Sequence, residues 1–85
     1  MKNRKLLAKA LRSSKNLRFG EALALAKAFG FRLSRTKGSH HIFVHPRIRE
    51  LVNLQEVGKA KPYQVRQLLE IVERYDLELE AGEEP

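Results

Sequence analysis

Apolar and basic residues interleave at helical spacing near the start of the chain. Over residues 3–12, Leu6, Leu7, Ala10 and Leu11 fall on one side, interrupted by Lys5, Lys9 and Arg12. This predicts a short amphipathic helix. Ser13, Ser14, Lys15 and Asn16 then read as a loop. A second helix is predicted from Gly20 and Glu21, with Phe19 packing back on its first turn. Ala22, Leu23, Ala26 and Phe29 form its apolar face, and Gly30 supplies the left-handed residue that ends it.

The period changes at Phe31. Phe31, Leu33 and Arg35 alternate with Arg32, Ser34 and Thr36, which predicts a strand. The stretch TKGS is a turn in which Gly38 takes the positive φ of a tight hairpin. His40 to His45 is the return strand, rich in Ile, Phe and Val, and Pro46 ends it. PRIR reads as a loop, Leu51 to Leu54 as a third short strand, and QEVGKAK as another loop. Pro62 fits the first turn of a last helix. Its stripe is Val65, Leu68, Leu69 and Val72, extended by Tyr75 or Leu79, and the tail AGEEP is expected to fray. Two helices, three antiparallel strands and a helix make a two-layer α+β domain, the sheet packed by helices. The helix, three strands, helix portion has the element order of double-stranded-RNA-binding domains.

Composition narrows the partners. Eighty-five residues make one domain, and 42% hydrophobic residues suffice for a packed core. The absence of cysteine excludes disulfides and thiolate metal sites. The basic N-terminal stretch, broken by Lys9 and Arg12, is neither a secretory leader nor a membrane span, so a cytoplasmic protein is expected. The net charge of +7 is unevenly placed: residues 1–16 hold six basic groups and no acid, whereas residues 47–85 hold six basic groups and nine acids. Such asymmetry points to a polyanion on one side of the fold, RNA or DNA first. A membrane surface or an acidic protein would satisfy the same charge.

The chain's three histidines all lie on the second strand. Side chains alternate along a strand, so His40, Ile42 and Val44 face one way and His41, Phe43 and His45 the other. Parity leaves the core face open: Phe43 inside turns His40 outward, Ile42 and Val44 inside would turn it inward, and the first is preferred. Adjacent histidines diverge and no cysteine assists, so three or four converging metal ligands are not expected. RNA scission needs a proton taken from a 2′-hydroxyl or given to a leaving 5′-oxygen, and histidine titrates near neutrality. Arg35, Lys37 and the backbone around Gly38 and Ser39 are placed to meet charge developing on phosphorus. Lys59 and Lys61, ahead of the last helix, are placed to grip phosphates.

Over roughly residues 17–79 the sequence resembles the HicA family of toxins, small ribonucleases of toxin–antitoxin pairs. FGEALALAKAFGFRLSRTKGSHHIFVHP looks like the family's first helix and hairpin, and Gly38, Ser39, His40 and His41 like its glycine–serine–histidine signature. LVNLQEVGKAKPYQVRQLLEIVERYDL looks like its third strand and last helix, entered at Lys61 and Pro62. The resemblance implies a double-stranded-RNA-binding-like fold, one catalytic histidine in that motif, no metal or other cofactor, mRNA as substrate and a HicB-type antitoxin as partner. His40 and His41 both satisfy the motif, His40 preferred. Two features depart from the pattern. Many members end the third strand with a proline and a histidine, where this chain has Leu54 and Gln55, and the basic helix at residues 3–12 is extra to the minimal domain.

The expected organisation is therefore a basic N-terminal helix and loop over 1–16, an RNA-binding ribonuclease domain over 17–79, and an acidic tail over 80–85. The expected function is a metal-independent endoribonuclease acting on mRNA. A non-catalytic RNA-binding module on the same fold is the alternative.

Overall fold

The computed structural model describes residues 2–13, 17–56 and 62–79. The expected loop at Ser14 to Asn16, most of the loop carrying Lys59 and Lys61, and the acidic tail lie outside the described residues. The elements are α1 (Lys2–Arg12), α2 (Phe19–Ala28), β1 (Arg32–Lys37), β2 (His40–His45), β3 (Ile48–Gln55) and α3 (Pro62–Arg74). The strands form one antiparallel sheet in the order β1-β2-β3. Helices α2 and α3 pack on β3, and α1 packs on α2. The fold is the expected α+β arrangement of helices on one face of a three-stranded sheet.

The core lies between those layers. Phe43, Val52 and Leu54 come from the sheet, Ala22, Leu25 and Ala26 from α2, and Val65, Leu68 and Ile71 from α3. Leu6 and Ala10 add one stripe of α1. Full burial of a side chain of this size contributes about 1.5–3 kcal/mol. Several details of the helix stripes differ from expectation. Leu25 and Ile71 are core residues, whereas Leu11 and Tyr75 are exposed. Helix α2 is covered from two directions, by β3 and by α1, so its buried arc is wider than one stripe.

Local chemistry sets the ends of the elements. Glu21, in the first turn of α2, accepts the backbone N–H of Arg18 at 2.9 Å and binds Nζ of Lys9 at 3.1 and 3.2 Å. The Arg18 hydrogen bond first, then Lys9, holds the Glu21 carboxyl below its usual value. Gly30 follows α2 with φ 93° and Gly38 opens the β1–β2 turn with φ 59°, as expected of both. Only Gly38 and Ser39 separate the paired Lys37 and His40. A positive φ at the first of two loop residues is the requirement of a type II′ turn.

The strands depart from the expectation in two places. The stretch PRIR is not a loop: β3 begins at Ile48, which pairs with His45, so only Pro46 and Arg47 turn the chain. Ile48 packs against the core, and Glu50, on the same face, accepts a 2.6 Å hydrogen bond from Arg74 of α3. That ion pair raises the proton affinity of the Arg74 guanidinium, chiefly through the hydrogen bond. The second departure is a bulge at Ser34. Leu33 pairs with Phe43, but Arg35 pairs with Ile42, so the simple alternation of Leu33 with Arg35 fails. All six residues of β1 are exposed.

Candidate active site

The inner face of β2 is fixed by Phe43, which is 1% exposed. His41 and His45 share that face, and His40 is on the other, where no helix covers the sheet. The three histidines therefore occupy three different environments.

His45 is a buried structural residue. Its Nε2 donates to the Phe29 carbonyl at 3.2 Å, its Nδ1 accepts the Arg47 backbone N–H at 3.1 Å, and its ring meets Phe31 edge-on with centroids 5.1 Å apart. Both nitrogens are used, one closing the C-terminal end of α2 and the other fixing the β2–β3 turn.

His41 is half-buried at the rim of the helix layer. Its ring meets Phe19 at 4.9 Å, Nδ1 donates to the Ser39 carbonyl at 3.2 Å, and Nε2 lies 4.0 Å from Glu56. The same Ser39 carbonyl accepts the Glu56 backbone N–H at 2.8 Å. His41 thereby ties the hairpin tip to the end of β3 and to the first turn of α2.

His40 is half-exposed on the helix-free face. Its Nδ1 lies 3.1 Å from Oδ1 of Asn53. The amide oxygen can only accept, so Nδ1 is the donor, and in the neutral imidazole the other nitrogen, Nε2, is the one able to accept a proton. Among the described residues Nε2 has no hydrogen-bond partner. Lys37 stands directly across from His40 in the ladder, and Arg35 is two pairs further along, opposite Ile42. Paired residues project on one face with Cβ atoms about 5 Å apart. The bulge at Ser34 is what puts Arg35 and Lys37 there. Regular alternation from Leu33 would turn both toward the helix side.

Of the residues expected at the site, His40, Arg35, Lys37, Gly38 and Ser39 thus share one end of the hairpin, while His41 faces the helices. Lys59 and Lys61 lie outside the described residues. Sequence reasoning missed Asn53 and Gln55. Gln55 pairs with His40 across the ladder and donates to Oγ of Ser39 at 3.4 Å. Its backbone N–H is held at 2.9 Å by the buried side chain of Gln64, in the first turn of α3. Nothing in residue type marks Asn53. Only the β2–β3 register, in which Asn53 pairs with Ile42 and Gln55 with His40, brings it beside His40.

Among the described residues, no three histidine or acidic side chains converge as metal ligands, and no helix is long and apolar enough to cross a membrane. A concavity of about 860 Å³ opens between α1, α3 and the stretch after α3, away from His40. Leu7, Leu11, Leu69, Val72 and Leu79 line it together with Glu70, and none of the expected site residues reaches it.

Comparison with curated proteins gives no match. The family model for the HicA toxin of bacterial toxin–antitoxin systems matches residues 20–73, from the first turn of α2 almost to the end of α3, and leaves α1 outside. That span holds the whole sheet, both helices that cover it and the His40 cluster, and the chain belongs to the HicA toxin family.

Proposed function

We propose that this HicA-family protein is a metal-independent endoribonuclease that cuts mRNA, with His40 as general acid and base, and that a HicB-type antitoxin restrains it. The observation that carries the reading is the His40–Asn53 hydrogen bond at 3.1 Å, which leaves Nε2 free on an open face opposite Lys37. In the reaction Nε2 accepts the proton of a ribose 2′-hydroxyl as the 2′-oxygen attacks the adjacent phosphorus. The bond from phosphorus to the 5′-oxygen breaks, and the imidazolium returns a proton to that oxygen. The products are a 2′,3′-cyclic phosphate and a 5′-hydroxyl. Lys37 and Arg35 meet the charge on the phosphoryl oxygens in the transition state. His41 is the weaker candidate, because its ring is packed on Phe19 and turned to the helix side.

Purified wild type and His40→Ala on an mRNA, each with excess chelator, test the reading. General acid–base catalysis contributes about 10²–10⁴ in rate, so His40→Ala is expected to lose cleavage by that factor while folding and binding RNA. Cleavage by His40→Ala at the wild-type rate would move the role to His41. A wild type that binds RNA and never cuts it overturns the nuclease reading and leaves an RNA-binding module.

A further inference from the structure

The uncovered side of the sheet carries cations without acids, whereas the helix side carries both signs. On the helix-free face the side chains are Arg32, Arg35 and Lys37 from β1, His40, Ile42 and Val44 from β2, and Arg49, Leu51, Asn53 and Gln55 from β3. Four are cations and none is acidic. The acids of the described residues stand elsewhere: Glu21, Glu70 and Glu73 on helices, Glu50 on the inner face of β3, and Glu56, Asp76 and Glu78 beyond the ends of elements. Arg32, Arg35, Lys37 and Arg49 are all exposed, and Leu51, 49% exposed, lies among them with the half-buried Ile42 and Val44.

From this placement we infer that the helix-free face of the sheet is the RNA platform and that it takes single-stranded rather than duplex RNA. The inference rests on the nuclease reading only for the position of the cut. Arg32 to Lys37 span roughly 17 Å along β1 at the strand rise, enough to follow the backbone of a few nucleotides leading to His40. The apolar centre matches bases and riboses, which an unpaired strand presents and a duplex hides behind phosphates. Arginine guanidinium planes stack on such exposed bases. A duplex also holds the 2′-oxygen out of line with the bond to be broken, so the His40 chemistry needs an unpaired strand.

The test is binding of wild-type protein to a single-stranded 2′-O-methyl oligonucleotide, which cannot be cut, across a salt series. The single-strand salt slope is about −0.7 per neutralised phosphate, so Arg32→Gln with Arg49→Gln is expected to flatten it by about 0.7 for each phosphate no longer gripped. Leu51→Glu, one carboxylate in the middle of the face, is expected to weaken binding at least tenfold. Lys27→Gln with Arg66→Gln, exposed on helices, should bind as wild type. An unchanged slope in the first variant, a flattened slope in the helix variant or in Lys5→Gln with Arg12→Gln, or duplex bound as tightly as single strand overturns the platform. So does a wild-type dimer in sedimentation that Leu51→Glu dissociates, since a second copy would then cover the face. These outcomes are read from binding, so a protein that binds here without cutting fails the nuclease reading alone.

Discussion

His40 and His41 are neighbours in the chain and belong to different layers of the molecule. Strand parity explains the split, but the choice between them depends on Phe43, which fills the core and turns His40 outward. Asn53 then decides what His40 can do. Removing its amide with Asn53→Leu frees the ring to rotate and exchange tautomers. A neutral hydrogen bond is worth about 0.5–1.5 kcal/mol, so cleavage is expected to fall about three- to tenfold with binding unchanged. Asn53→Asp instead places a carboxylate on Nδ1 and favours the protonated ring, so the acid limb of the pH–rate profile moves to higher pH. A pH–rate series on both variants checks this, and a loss without a moved limb in Asn53→Asp would make Asn53 merely structural. The glycines give a second contrast at this scale. A Cβ at Gly38 meets nothing within 4 Å, yet its φ of 59° is one that side chains resist. Gly38→Ala is therefore expected to cost about 1 kcal/mol through backbone strain alone. Gly20, equally open but helical, should gain up to about 0.5–1 kcal/mol as Gly20→Ala. Chemical denaturation of the two variants reads both signs.

Each helix and strand carries its own device. Helix α1 is pinned to α2 by Lys9 and Glu21, whose carboxyl is held below its usual value in the folded chain. A depressed carboxyl stabilises the fold at pH values above its unfolded value, and that contribution is lost as pH falls through the folded one. Glu21→Gln should therefore lower stability at neutral pH, and its deficit against wild type should close as pH falls below the ordinary carboxylate range, as seen in urea midpoints across pH. A deficit constant with pH would assign it to packing instead. For β1 the device is the bulge. Deleting Ser34 should remove the extra residue and leave Leu33 opposite Phe43 and Arg35 opposite Ile42, so Arg35 and Lys37 stay on the helix-free face and RNA affinity is expected to change little in a binding titration. Element type and order were legible in the sequence because apolar periodicity and the Gly30, Gly38 and Pro62 punctuation agreed. The bulge was not, since no residue of RLSRTK prefers one face strongly enough to reveal it. The early start of β3 was hidden for a related reason. Arg47 and Arg49 flank Ile48 and read as a polar loop, but the arginine side chains stand in solvent while Ile48 packs. At the site, the histidines and the basic turn were legible by chemistry. Asn53 was not, because contacts across strands need a register.

The helix-free face of the sheet carries cations and no acid among the described residues, and the helices behind it carry both signs. Association with RNA should fall steeply with salt, whereas stability, which rests on the shared core, should change little. Parallel titrations of binding and unfolding between low and physiological salt check this, and equal sensitivity would refute the separation of surface and core. The order β1-β2-β3, with turns of two residues each, has one more consequence. Every strand pairs with its neighbour in the chain, so the sheet closes by short loops and needs no distant segment to find its place. Folding rate follows such locality, and a mixed domain of this kind is expected to fold on the order of milliseconds. A toxin chain set free by loss of a restraining partner would be competent almost at once, so the delay before growth stops would reflect the partner's lifetime rather than the toxin's refolding.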